Sequence, residues 1–316
     1  MATSAIHETE HQITVSAEPA AVYAVLADAG TWPAVFPPTV HVELLSHDDH
    51  EERIRIWATA NGKPKGWTSR REFDRERLRI RFRQEKSSHP VAAMGGEWIV
   101  EPDGRGSTRV RLTHDFRAAD DDRASVRWIT NAVNRNSEAE LAALRRAVES
   151  PGDRLMTFED SVTVRGSAAG VYEFLHRADL WHERLTHVAG ITVTEETPNL
   201  QLMEMETRSR DGSTHTTTSV RVCFPDHLIV YKQLRTPPLL SLHTGRWTVR
   251  PDGDSTVVTS AHTVGIAADR VTDVLGAQGT VAQARDLARK ALSGNSMLTL
   301  NAAKDYAESR VGASPR

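Results

Sequence analysis

The hydrophobic pattern of the chain changes period twice and then runs through the same changes again. Thr9–Val15 alternates apolar with polar positions, as a strand with one covered face does. Ala17-Glu18-Pro19-Ala20 then starts a helix whose apolar face includes Val22, Val25 and Leu26. Gly30–Val40 holds Trp32, Pro33, Phe36, Pro37 and Pro38 and reads as an aromatic loop or short helix. Strands are expected near Val40–Ser46, Glu52–Ala60, Gly66–Phe73, Leu78–Gln84, Gly95–Pro102 and Ser107–Phe116. Asn61-Gly62-Lys63-Pro64 and Pro102-Asp103-Gly104 supply hairpin turns between them. The period then returns to that of a helix over about Arg123–Glu149, with Trp128, Ile129, Ala132, Val133, Leu141, Leu144 and Val148 on one stripe.

Trp67-Thr68-Ser69-Arg70-Arg71-Glu72-Phe73 carries the most information. On a strand, Trp67, Ser69, Arg71 and Phe73 share one face, and Thr68, Arg70, Glu72 and Asp74 share the other. Two large aromatics turn the first face inward and take Ser69 and Arg71 with them. An inward guanidinium needs an ion-pair partner or a wet cavity. The same parity on the last strand sets His114 beside Val110, Leu112 and Phe116.

The pattern is written twice. Val22-Tyr23 recurs as Val171-Tyr172, Trp32 as Trp181, Trp98 as Trp247, and Pro102-Asp103-Gly104 as Pro251-Asp252-Gly253, all 149 positions later. A single deletion then pairs His114 with His262. After an insertion of about ten residues, Asn136-Ser137 matches Asn295-Ser296, read as opening a final helix in each copy. Two domains are expected, residues 1–152 and 153–316, joined near Glu149–Met156 where Ser-Pro-Gly-Asp breaks a helix. The 149-residue offset sends Trp67, Ser69 and Arg71 to Thr216, Thr218 and Val220. The second copy is therefore expected to lack the inward arginine, and to be a structural partner or a second pocket for a later dehydration.

Composition narrows the function. A net charge of −3, split as −2 and −1 between the copies, makes neither half a basic nucleic-acid module. One cysteine, Cys223, excludes an internal disulfide framework and a cysteine-rich zinc site. No apolar run approaches 18 residues and Met1–Gln12 lacks a signal-peptide core, so the expectation is a cytoplasmic protein that does not engage a membrane. His182-Glu183-Arg184-Leu185-Thr186-His187 spaces its histidines by five, which fails the geometry of a helical zinc site. His47-Asp48-Asp49-His50 sits in a polar turn without further ligands, so no metal and no cofactor is expected.

The order β, two short helical pieces, six strands and one long helix is the α+β helix-grip arrangement, a curved antiparallel sheet wrapped around a C-terminal helix with a cavity between. With Trp67-x-Ser69-x-Arg71 and Gly95-Gly96-Glu97-Trp98, the chain resembles the two-domain aromatase/cyclases of bacterial type II (aromatic) polyketide synthases, which are START-like, over nearly its whole length. The resemblance implies aldol cyclisation and aromatisation of a poly-β-ketone held on an acyl carrier protein, among other synthase subunits. It implies a chain already ketoreduced at C9, with the first ring closing between C7 and C12. The residues it carries over are Arg71, Ser69 and His114 as catalytic groups. Trp32, Phe36, Trp67, Phe73 and Trp98 are carried over as the substrate-shaping wall. In such a site Arg71 would stabilise an enolate or alkoxide, His114 would move a proton with a pKa near working pH, and Ser69 would hold an oxygen. The competing reading is a carrier of a lipid, quinone or other apolar ligand, which has little use for the Ser69–Arg71–His114 set. A monomer and a homodimer are both compatible with the duplication. Arg70–Arg83 holds seven arginines, and the stripe Arg77, Arg79, Arg81, Arg83 is a solvated face or a dock for an acidic carrier protein.

Overall fold

The computed structural model describes residues 5–104, 106–119, 122–150, 155–208, 212 and 214–311. Two compact units divide the chain, Met1–Gly152 and Asp153–Arg316. Pro151, Gly152 and Asp153 of the expected junction lie outside the described residues.

The first unit runs β1 (His7–Val15), α1 (Pro19–Ala27), α2 (Trp32–Val35), β2 (Thr39–His47), β3 (Glu51–Ala60), β4 (Lys63–Asp74), β5 (Arg79–Lys86), β6 (Val91–Pro102), β7 (Thr108–Ala118) and α3 (Arg123–Glu149). Its sheet is antiparallel in the order β1-β7-β6-β5-β4-β3-β2, so successive strands are neighbours and β1 closes against the last. Asn61 and Gly62 adopt positive φ in the tight β3–β4 turn, where short polar or glycine residues tolerate the left-handed region. Pro19 stands in the first turn of α1, where its missing N–H costs nothing. Asp122 caps α3, its Oδ1 accepting from the amides of Ala124 and Ser125 at 2.7 and 2.9 Å. Ile129, Val133, Ser137, Leu141 and Leu144 are buried along α3, and Leu141 and Leu144 meet Val22, Leu26, Phe36, Trp98 and Leu112 in the core.

The second unit repeats the plan: β8 (Met156–Val164), α4 (Ala168–His176), α5 (Trp181–Arg184), β9 (Val188–Thr197), β10 (Leu200–Arg208), β11 (Thr214–Phe224), β12 (Leu228–Arg235), β13 (Leu240–Asp252), β14 (Ser255–Ile266), α6 (Val271–Leu275) and α7 (Val281–Val311). The sheet order is β8-β14-β13-β12-β11-β10-β9. The insertion read from sequence forms α6 and the turns around it. Asn136-Ser137 and Asn295-Ser296 lie in the middle of α3 and α7, not at their starts, because each helix begins a dozen or more residues earlier.

The register corrects the expectation for the second copy. One transverse row of the first sheet reads Glu52, Arg71, Phe82, Gly96, His114, Thr9. The matching row of the second reads Gln201, Arg221, Tyr231, Gly245, His262, Phe158. Within β11 the true offset is 150, so Trp67, Ser69 and Arg71 become Thr217, Ser219 and Arg221, and the inward arginine is present in both copies. The β10–β11 loop is longer than the β3–β4 turn, and the β11–β12 turn is shorter than the β4–β5 turn. The two changes cancel, so the 149-residue offset holds on either side of β11 and fails only within it. Thr216, Thr218 and Val220 take the opposite face of their strand.

Gly96 permits the central rung. A Cβ there would stand 1.9 Å from the Thr113 carbonyl oxygen and 2.7 Å from Cζ of Phe82. Backbone cannot move aside as a side chain can, so Gly96→Ala is expected to destabilise the first unit by about 2 kcal/mol or more. Denaturant unfolding checks this, and an unchanged midpoint would remove Gly96 from this role.

Candidate active site

Inward residues of β4–β7 and the covered stripe of α3 face one another across the first unit. Arg71 is 1% exposed, and its donors are largely committed. Its Nη2 donates to the Leu26 carbonyl at 2.5 Å, its Nη1 to the Ala27 carbonyl at 3.3 Å, and Nη1 also pairs with Glu52. The guanidinium thereby satisfies carbonyls at the end of α1 that have no helical partner, and lies over the rings of Trp32 at 4.6 Å and Phe73 at 5.1 Å. Only Nε is buried without a partner. Arg71 is a latch between α1, β3 and β4. Arg221 repeats it, donating to the Leu175 carbonyl at 2.5 Å and to Gln201 Oε1 at 2.8 Å, with Trp181 at 5.3 Å from its Cζ. Ser69 is buried two rows along from Arg71, on the same face of β4.

His114 stands three rungs from Arg71, about 14 Å across the sheet at the usual strand spacing, so the two do not share one substrate atom. The Phe82 ring intervenes, edge-on to His114 at 5.4 Å over the space that Gly96 leaves. Burial pushes the His114 imidazole down to about 4, with His11 adding to the effect and Asp115 opposing it. The imidazole is therefore neutral at working pH, not poised near it as expected, because desolvation outweighs the nearby carboxylate. Its Nδ1 has no partner.

The aromatic residues divide. Phe36 and Trp98 stack at 6.3 Å deep in the core and pack there. Trp32, Trp67 and Phe73 keep accessible surface; Trp32 and Trp67 pack against Ala29, Ile54, Ile56 and Ala58. Phe73 also borders an outer recess of about 580 Å³ lined by His50, Glu72, Arg79, Arg81 and Glu97. The outward arginines are paired: Arg77 with Asp74 at 3.1 Å, Arg79 and Arg81 with Glu97 at 3.9 and 3.3 Å, and Arg83 with Asp115 at 2.6 Å. This pairing leaves little net field for an acidic partner.

Glu140 is the group that sequence reading passed over. It follows Val133 and Ser137 on the covered stripe of α3, at the i+3 and i+4 spacings that place residues on one helix face. Desolvation raises its carboxyl to about 8, yet the side chain keeps accessible surface. His114 has the same character, desolvated yet not fully closed off. The detectable signal was a carboxylate on an apolar helical stripe. In the second unit Ser296, the counterpart of Ser137, lies 2.8 Å from His262, the counterpart of His114. Glu140 is one helical turn along α3 from Ser137, and its counterpart is Thr299.

Glu140, His114 and the part-buried Trp32 and Trp67 thus lie within a helix-grip frame that is written twice. The chain belongs to the family described as polyketide cyclase / dehydrase and lipid transport, whose profile matches residues 7–149 and again 156–308. It is 45% identical to the granaticin polyketide synthase bifunctional cyclase/dehydratase of Streptomyces virginiae, over 92% of this chain and 96% of that protein. It is also 45% identical to the actinorhodin polyketide synthase bifunctional cyclase/dehydratase of Streptomyces coelicolor, over 93% and 95%. Among solved structures, the di-domain ARO/CYC BexL from the BE-7585A biosynthetic pathway is 48% identical, with a TM-score of 0.84 over 98% of this chain and 100% of that one. The chain is an enzyme of the cyclase/dehydratase kind, which sets aside the apolar-carrier reading. No helix among the described residues is long and apolar enough to cross a membrane.

Proposed function

We propose that the first unit closes the first ring of a poly-β-ketone delivered on an acyl carrier protein within a type II polyketide synthase, and that the chain is already ketoreduced. Aldol closure, between C7 and C12 in our reading, joins an enol carbon to a ketone carbon and turns the ketone oxygen into a hydroxyl. Loss of two waters, that hydroxyl and the C9 hydroxyl left by ketoreduction, with enolisation of the remaining ring ketone, then gives the aromatic ring. The observation that carries this reading is the 45% identity to bifunctional cyclase/dehydratases over nearly the whole chain, and Glu140 and His114, both desolvated by the fold, are the proton-moving groups it offers. Glu140 donates its proton to the ketone oxygen as the carbon–carbon bond forms. Neutral His114 accepts a hydrogen bond from the enol and takes its proton, and the two groups exchange that proton afterwards. Trp32 and Trp67 limit how the chain folds, and Ser69 holds an oxygen of it. Arg71 acts as a positioning residue through Trp32 and the end of α1. The carrier protein and neighbouring synthase subunits are the partners in this scheme, acting in the cytoplasm, and the paired arginine stripe gives no reason to place the dock there.

A reconstituted minimal synthase with ketoreductase tests the reading. With His114→Phe, the ring-closed product is expected to fall about 10²-fold in favour of spontaneous shunt products. A product profile unchanged in a folded variant would overturn it.

A further inference from the structure

The second unit keeps the frame of the first and replaces its filling. Rung by rung, Phe82 becomes Tyr231, Met94 becomes His243, Leu112 becomes Ser260 and His11 becomes Asp160. Three apolar positions thus turn polar around His262, and the side chains find one another. Tyr231 Oη lies 3.0 Å from His262 Nδ1 and 3.4 Å from His243 Nε2. His243 Nε2 is 2.9 Å from His262 Nδ1, and His262 Nε2 is 2.8 Å from Ser296 Oγ and 3.2 Å from Ser260 Oγ. His243, His262, Ser260 and Ser296 are all buried, and Asp160 Oδ2 is buried without a partner.

The contacts are satisfied when His262 donates from Nε2 to Ser296 and its bare Nδ1 accepts from Tyr231 and from His243 Nε2–H. Gly245 makes the meeting possible, since a Cβ there would stand 2.4 Å from Tyr231 Oη and 2.6 Å from the Ala261 carbonyl oxygen. A buried polar cluster costs stability relative to the apolar set of the first unit unless it is fully partnered. His243 Nδ1 and Asp160 Oδ2 show that it is not. Tyr231 keeps some accessible surface, whereas His243, His262, Ser260 and Ser296 are closed off.

We propose that the second unit is a separate acid–base site, centred on the Tyr231 hydroxyl, that removes water from a β-hydroxy ketone. This rests on the cyclase/dehydratase reading and assigns the water-losing half to its own place. In the step, the carbon–hydrogen bond next to the ketone breaks, and its electron pair forms the carbon–carbon double bond as the carbon–oxygen bond to the hydroxyl breaks. The Tyr231 proton leaves with that hydroxyl as water, and the carbon's proton ends on the Tyr231 oxygen. Nothing is oxidised or reduced, and no ion remains. Burial raises the Tyr231 phenol and lowers His243 to about 3 and His262 to about 4, with Asp160 opposing the latter, so the cluster stays neutral between turnovers. A phenol that is hard to ionise leaves an oxygen that is a strong base once its proton has moved. His243 Nε2–H and the His262–Ser296 chain position that oxygen and stabilise the charge it carries in passing.

The test uses the full chain and an acyclic probe, 5-hydroxy-3-oxohexanoyl N-acetylcysteamine thioester, with dehydration followed by the absorbance of the conjugated enone. Wild type is expected to dehydrate the probe, and Tyr231→Phe, which restores the residue of the first unit, to lower that rate about 10²-fold. His243→Met, again the first unit's residue, is expected to lower it about tenfold while a thermal melt confirms that the protein is folded. The probe cannot form the six-membered carbocycle of the aldol closure, and its δ-lactone lacks the enone absorbance, so the measurement stands whether or not the first unit cyclises. A wild type inactive on the probe, or a folded Tyr231→Phe protein as fast as wild type, overturns the proposal.

Discussion

Arg71→Ala is expected to unfold the first unit before it reveals anything about chemistry. The substitution strands the Leu26 and Ala27 carbonyls at the end of α1 and leaves the Glu52 carboxylate without its cation. Removing one partner of a buried, hydrogen-bonded pair costs about 3–5 kcal/mol, a large part of the stability of a 150-residue domain. Glu52 keeps some contact with water, so the lower end of that range applies. Arg221→Ala, which strands Gln201 and the Leu175 carbonyl, is expected to act on the second unit in the same way, and less severely because Gln201 is uncharged. Denaturant unfolding resolves both. The double variant Arg71→Met, Glu52→Leu should recover much of the loss, because no buried charge then remains. An Arg71→Ala protein that unfolds like wild type while losing activity would instead make Arg71 a catalytic group.

Glu140→Gln is expected to move stability and activity in opposite directions. The Glu140 carboxyl has an ordinary value of 4.5 and a folded value of about 8. The unfolded chain therefore releases its proton first as pH rises. The folded state bears no penalty below about 4.5, loses stability through the window from 4.5 to 8, and bears the full cost above it. At 1.36 kcal/mol per pH unit, the cost reaches on the order of 5 kcal/mol. A glutamine keeps the shape without the charge, so the variant should match wild type near pH 4 and exceed it by several kcal/mol at pH 8. The buried histidines titrate alike in both proteins and cancel in the difference curve. Cyclisation should meanwhile fall about 10²-fold, the usual contribution of a placed proton donor. Denaturant midpoints from pH 4 to 9 and the product yield of the reconstituted synthase measure the two effects. A flat difference curve would show that Glu140 is solvated.

Much of this architecture is legible in the residues. The alternation at Trp67–Phe73 turned Ser69 and Arg71 inward, and both are buried. The period change at Arg123 marked α3 to the residue. Less was legible where spacing alone had to stand for space. A longer loop and a shorter turn on either side of β11 offset each other, so a constant repeat distance hid Arg221 one position away. Partners were invisible as well: nothing in a strand pattern says that an inward arginine will spend its donors on helix-end carbonyls, or that Glu97 and Asp115 will meet the outward stripe. Phe36 and Trp98 read equally as core and as cavity wall, because burial by neighbours cannot be read from one strand or loop.

The empty rung at Gly96 and Gly245 has a consequence for engineering. In each unit the glycine, the latch arginine and the row histidine make a chassis, and the side chains draped over the gap are interchangeable cargo. Phe82→Tyr, Met94→His and Leu112→Ser together would install the second unit's polar trio in the first without disturbing any chassis position. Since Ser137 already stands at the position of Ser296, the first unit would then carry both sets of side chains.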